Sequence, residues 1–397
     1  MSEPPADEPP AEDMDFGRAP EHSALQRLKT DFAGWHHPRK QHVRIQQWCA
    51  AARSLIRETG LDAAHPFRYL TLPGDELLDV RALHGVCERE GVPLRYVGFN
   101  SAQGEGQAEL NISRSEVQAL AAVDPFSVVV LDRLEAVANP RSQGFKRAKA
   151  GAPFHAINID LCDSLAFRDA DDGRGSVLGA LAKLLELQLQ TTTPWLLFIT
   201  TLARPGLVSD RSKEGFSSAL AANTAASEAF KTELAQLVSG SADALDALLE
   251  AAWQRQDPDF LRLFCAGLGK WLIRLLAEVP QPRELTLLSS YYYQVGPDGP
   301  DMVSLAFRCT TPVVAVADRD GILPAAPTAS SFSEVDVALR LAREVAGLVD
   351  LDHLIASDSG LAERLIRQAG DLLETARFDR PSYEAWAAAV LESRGTG

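Results

Sequence analysis

Two carboxylates, Asp160 and Asp163, stand in the stretch FHAINIDLCD (154–163). Next to an apolar run they suit general-base work, the orienting of a nucleophile or the holding of a cation. Two such groups are too few to define a metal centre, so no metal is expected. Cys162 lies between them, and flanking negative charge raises a thiol pKa, which argues against a nucleophilic role. A second constellation is WHHPRKQHVRIQQW (35–48), where Arg39, Lys40 and Arg44 stand between two tryptophans. Cations beside an indole suit phosphate contact with a stacked nucleic acid. The same spacing also suits a solvated helix face with Trp48 in the core. A further basic stretch holds Arg141, Lys146, Arg147 and Lys149. The chain lacks a GxxxxGK[ST] phosphate loop, a GxSxG elbow and an HExxH pair.

The whole-chain charge limits the partners. The 397 residues carry a net charge of -15 with 46% hydrophobic residues. Such a chain has ample core and is repelled by a phosphate backbone at long range. Nucleic acid is therefore expected only at local basic patches. Five scattered cysteines with no CxxC pair point to reduced thiols and a cytoplasmic location. No signal peptide and no bilayer-spanning run is read, so no membrane partner is expected.

These residues need elements to position them. Residues 1–22 are acidic and proline-rich and read as a disordered, dispensable tail. A helical lead-in follows over 23–59, with Gly60 as its stop. Strands are expected at 67–74, 94–100, 126–132, 154–160 and 194–200. Helices alternate with them at 76–90, 113–123 (with Ser113-x-x-Glu116 as a capping box) and 176–190. A helical insertion over 212–280 breaks at Asp257-Pro258, and strands at 285–295 and 302–309 flank the turn GPDGPD. A Pro/Ala/Ser linker over 323–333 leads to a helical region at 334–397. The expected fold is α/β: a doubly wound, mostly parallel Rossmann-like sheet with a late antiparallel hairpin and added helices. Its strand order should be 3-2-1-4-5, with the hairpin extending the far edge and any ligand crevice at the carboxyl ends of the strands.

This order of elements over 40–310, with RYLTLPGDELLDV, RYVGFN, NIDLCDS and PWLLFITT, resembles the class I S-adenosylmethionine (SAM)-dependent methyltransferases, and within them a divergent bacterial group. The resemblance implies SAM as cofactor and methyl transfer at the ends of strands one and four. It places Thr71 and Gly74 in the cofactor loop, Asn100 at the ribose, Asp132 at the adenine and Asp160 with Asp163 where substrate meets cofactor. Against the usual pattern, one glycine remains in the loop, Pro73 removes an amide donor, and Thr71 and Asn100 stand where acids are common. Losing those charges implies weak SAM binding, on the order of tens of micromolar. By this argument Asn100→Asp should strengthen binding and Gly74→Val should abolish it. The competing expectation is an inactive methyltransferase-like protein that binds a nucleotide-like ligand, nucleic acid, or a protein partner through its helical regions. The substrate is not legible.

Overall fold

The stretch FRYLT buries residues on both sides of its backbone, as a central strand must. It forms β1 (Phe67–Thr71), with Phe67 and Tyr69 in one apolar cluster and Leu70 in another. The structure is a computed structural model and describes residues 28–167, 175–312 and 332–394. The acidic tail at 1–22 and most of the 323–333 linker lie outside the described residues.

Around β1 stand β2 (Leu94–Phe99), β3 (Val128–Val130), β4 (Ala156–Asp160), β5 (Trp195–Leu202), β6 (Glu284–Tyr293), β7 (Met302–Thr310) and the short β8 (Val349–Asp350). The sheet order is β3-β2-β1-β4-β5-β7-β6-β8. The first five strands pair in parallel, and β7 runs antiparallel between β5 and β6. The expected order, with the hairpin on the far edge, is thus observed. β8 has no sequence signature, being two residues paired in parallel with Tyr291 and Tyr292.

The helices are α1 (Pro38–His42), α2 (Ala50–Thr59), α3 (Leu78–Glu90), α4 (Glu105–Gln118), α5 (Gln143–Gly151), α6 (Val177–Gln188), α7 (Asp210–Ala226), α8 (Glu228–Leu237), α9 (Leu245–Ala252), α10 (Pro258–Ala277), α11 (Glu334–Ala346), α12 (Leu351–Ser357), α13 (Ser359–Glu374) and α14 (Arg380–Arg394). One face of the sheet packs Leu70, Ile157 and Ile199 against α6, α7, α10 and α11. The other packs Tyr69, Ala156 and Phe198 against the lead-in, α3, α12 and α13. The break at Asp257-Pro258 is the start of α10: Asp257 caps it by accepting from Phe260 N, with proline at the first helical position.

Three local expectations need correction. The lead-in, expected to be helix-rich from about residue 23, is helical from Gly34 among its described residues. Its described part runs extended from residue 28, then forms a short turn, α1, a π-helix (Val43–Cys49) and α2, which stops at Gly60 (φ 64°). Helix α4 starts eight residues before Ser113, because Gly104 (φ 60°) opens it; Ser113 is buried mid-helix and donates to Glu109. Strand β3 is shorter than read, because Asp124 accepts from Phe126 N at one end and a tight Asp132 N to Val130 O bond turns the chain at the other.

Candidate functional site

At the carboxyl edge the loop after β1 folds down onto β2. Pro73 lies on Gly98 so closely that a Cβ there would come within 2.9 Å of its ring. Asn100 fastens the loop. Its amide donates to Pro73 O (2.9 Å) and Asp75 Oδ1 (3.1 Å), and its oxygen accepts from Ala102 N (2.6 Å). Asp75 in turn reaches the start of α4, where Gly106 leaves it room: a Cβ would meet its Oδ2 at 2.6 Å. A carboxylate there complements the positive end of the helix. Gly106 therefore serves this contact, while Gly104 supplies the left-handed turn that opens α4.

Beside this closure a crevice of about 430 Å³ opens between the ends of β1, β2, β3 and β4. Among the described residues its walls carry Asp75, Asp132, Glu135, Asp160 and Asp163, against one cation, Arg133, which pairs with Glu135 at 2.9 Å. Asn100, Asp132, Asp160 and Asp163 thus come together as expected. Two expected residues do not line it. Thr71 is fully buried beneath the loop, and Gly74 lies exposed on the turn, where a Cβ would meet only Glu76 Oε2 at 3.8 Å. Glycine at 74 is therefore not demanded by space. Asp163 Oδ1 accepts from Ser164 N (2.7 Å). Partial burial, then the Asp160 carboxylate, push the Cys162 thiol above its ordinary value, so it is a poor nucleophile.

Asp160 joins this crevice to a buried polar layer that the sequence reading missed. The lead-in lies over it, and its cations are not on a solvent face: Arg39, Lys40 and Arg44 are 4%, 7% and 5% exposed. Each is turned inward. Lys40 Nζ bonds to Asp160 Oδ1, and Arg39 bonds to Asp352 (2.8 Å) and Gln294 O. Arg44 donates to Trp35 O (3.0 Å). They are not placed to grip an external phosphate. Burial works against the Lys40 ammonium, but the Asp160 carboxylate outweighs it and holds the pKa above its usual value. By contrast Arg141, Lys146, Arg147 and Lys149 are exposed on and before α5.

Beneath the lead-in, Asp79 Oδ2 accepts from Tyr69 Oη (3.0 Å) and from Thr71 Oγ1. Asn158 Nδ2 donates to Tyr69 Oη (2.9 Å). Farther along, Thr200 and Ser304 share a hydrogen bond of 2.9 Å, and Ser304 donates to Gln47. Burial raises the Asp79 carboxyl above its usual range, and its two hydroxyl donors oppose that rise. Asp79 places a carboxyl against Thr71, the strand end where the resemblance implies an acid. The signal for this layer was present: Tyr69 with Thr71, and Asn158 with Asp160, are polar residues two apart in apolar strands, and such residues share a face. His155 belongs to the opposite edge, where it stacks on Phe67 and accepts from Arg68 N.

Sheet order, covering helices and carboxyl-edge crevice define an α/β protein of the doubly wound kind. Among the described residues no helix is long and apolar enough to cross a membrane. The chain belongs to the PP_RS20740-like family, whose model matches residues 29–388 and so includes the sheet, the lead-in and most of α14. No curated protein and no solved structure matches it.

Proposed function

We propose that the crevice binds SAM and that the protein is a SAM-dependent methyltransferase. The observation that carries this is an acidic crevice at the switch point of a sheet ordered β3-β2-β1-β4-β5-β7-β6. Its volume of about 430 Å³ lies in the usual range for small-molecule sites. Among the described lining residues, five carboxylates against one arginine favour a ligand bearing positive charge and disfavour a diphosphate. SAM supplies a cationic sulfonium, an electrophilic methyl group and its own leaving group.

The residues that fit it are Asp132 and Glu135 at the β3 end, Ser101 beyond β2, and Asp160 with Asp163 at the β4 end. Asp160 is held by Lys40, while among the described residues the second oxygen of Asp163 has no hydrogen-bond partner and lies nearer solvent, placed to accept a proton from an acceptor group. The rest of the protein's contribution is positioning and the exclusion of water. The fastened loop of Pro73 and Asn100 favours a second reading, in which the fold is kept for binding alone.

Calorimetry with SAM, S-adenosylhomocysteine, ATP and NAD tests the proposal. SAM and its demethylated product should bind, on the order of tens of micromolar, and the anionic nucleotides should not. Tighter binding of ATP or NAD than of SAM, or no SAM binding, would remove the proposal. Binding without release of S-adenosylhomocysteine across an acceptor panel would favour the binding-only reading.

A further inference from the structure

Arg44 is the anomaly of the buried polar layer. Its guanidinium is 5% exposed, and among the described residues no carboxylate lies within ion-pair distance of it. Asp160 and Asp79 are near enough to act on its charge, but Lys40 engages one, and Tyr69 and Thr71 engage the other. Arg44 donates to Trp35 O, and among the described residues its Nε has no partner. Native folds seldom leave a buried charge without a counter-ion, because desolvation costs more than one neutral hydrogen bond returns.

Two further observations point the same way. Arg44 and Trp48 sit on the π-helix Val43–Cys49, and π turns are rare and concentrate at functional sites. Other polar atoms of the same layer also lack partners: Trp48 Nε1 and Asn158 Oδ1, on residues 4% and 0% exposed. Among the unpartnered donors of this buried stretch are Arg44 Nε, which is charged, and Trp48 Nε1. They suit an oxyanion, and a guanidinium fork matches the two oxygens of a planar carboxylate. The surroundings are aromatic: Trp48 faces Phe198 at 6.4 Å, and Tyr293 and Tyr383 act on the Arg44 charge.

We infer that Arg44, on the buried face of the π-helix, is the counter-ion of a bound carboxylate, at a second site adjoining the crevice at Asp160. The carboxylate has two sources, the amino-acid end of an adenosyl ligand in the crevice or a separate aromatic acid. The inference does not depend on the methyltransferase reading.

The test is thermal denaturation of the full chain with benzoate, SAM and decarboxylated SAM, on the native protein and on Arg44→Met and Arg44→Lys. Arg44→Met should melt at or above the native temperature, because it removes an unpaired buried charge. A guanidinium with a purely structural role would give a lower melting temperature. If the source is a separate acid, benzoate raises the native melting temperature by at least about 2 °C and leaves Arg44→Met unmoved. If the source is the adenosyl ligand, SAM stabilises the native protein more than its decarboxylated form does, and the difference vanishes in Arg44→Met. Arg44→Lys keeps the charge without the fork and should weaken either effect about tenfold, which keeps the test intact if the methionine variant does not fold. The inference is overturned if neither the benzoate shift nor the difference between the adenosyl compounds depends on Arg44. Failure of every adenosyl compound to bind would remove the methyltransferase proposal and leave the benzoate arm to decide this one.

Discussion

The substitution Asn100→Asp separates what the sequence implied from what the structure shows. From the sequence, an acid at this position should strengthen a ribose contact. In the structure the amide nitrogen already donates to Pro73 O and to Asp75 Oδ1, 3.1 Å away. Aspartate removes both donors and sets two carboxylates side by side. At about 3 Å and an effective dielectric of about 40–80, the repulsion is ~1.3–2.7 kcal/mol. The lost hydrogen bonds add about 1 kcal/mol, since water replaces them in part. The variant should therefore lose about 2–4 kcal/mol of stability near neutral pH. The pH dependence has a definite sign. The new carboxyl is raised in the folded state above its unfolded value of about 3.9, so the repulsive part of the penalty is complete above the raised value, fades as pH falls through it, and is absent below about 3.9, where the lost hydrogen bonds remain. Urea denaturation of native and variant proteins at about pH 8 and at about pH 4 measures it. Equal stability at the higher pH, or a penalty that does not shrink at the lower one, would refute the idea that Asn100 fastens the loop.

Other expected outcomes follow from the same geometry. Gly98→Ala should cost about 1–3 kcal/mol in denaturation, because its Cβ meets Pro73 at 2.9 Å, whereas Gly74→Ala should be near neutral, having only Glu76 Oε2 at 3.8 Å. Lys40→Met and Asp160→Asn should each destabilise by about 2–4 kcal/mol, since each leaves its buried or half-buried partner unpaired, and the double variant should lose clearly less than the sum. His36 has its pKa pushed down to about 3 by burial and then by Arg44, so the unfolded chain takes its proton first and stability is lost as pH falls below 6.5 toward about 3. Replacing His36 with Phe should flatten that loss by roughly 2–3 kcal/mol between about pH 7 and about pH 4.5, as followed by urea midpoints.

The sheet was legible because its strands are long apolar runs with clear turn chemistry between them, and because GPDGPD marks the hairpin. The ends Asn100, Asp132, Asp160 and Asp163 follow from the topology, since parallel strands deliver their ends to one edge. What escaped was tertiary. WHHPRKQHVRIQQW has the polarity of a surface helix, and only the Asp160 and Asp352 carboxylates, 120 and 313 residues away, make its burial tolerable. Asp79 looked like a first-turn helix residue, a role it also fills. Its contact with Thr71 depends on how α3 settles against β1. Gly74 misled because a glycine after a strand suggests a ligand loop, while the glycine on which that loop packs is Gly98, on the neighbouring strand.

The cover over the polar layer is assembled from two distant stretches of chain. Lys29 pairs with Phe378 in a parallel bridge, and Tyr383 Oη donates to His36 O at 2.8 Å. During synthesis on the ribosome, the lead-in emerges before the strands that form its floor and long before the residues that hold it in place. Until the segment around Tyr383 is made, the early cations and histidines have no complete enclosure and must stay hydrated. A stop codon between β8 and α14 would leave a chain with the whole sheet but an unlatched cover. Such a product should keep most of its secondary structure and expose the 36–48 segment to protease, so quality control would act on it at a place far in sequence from the lesion.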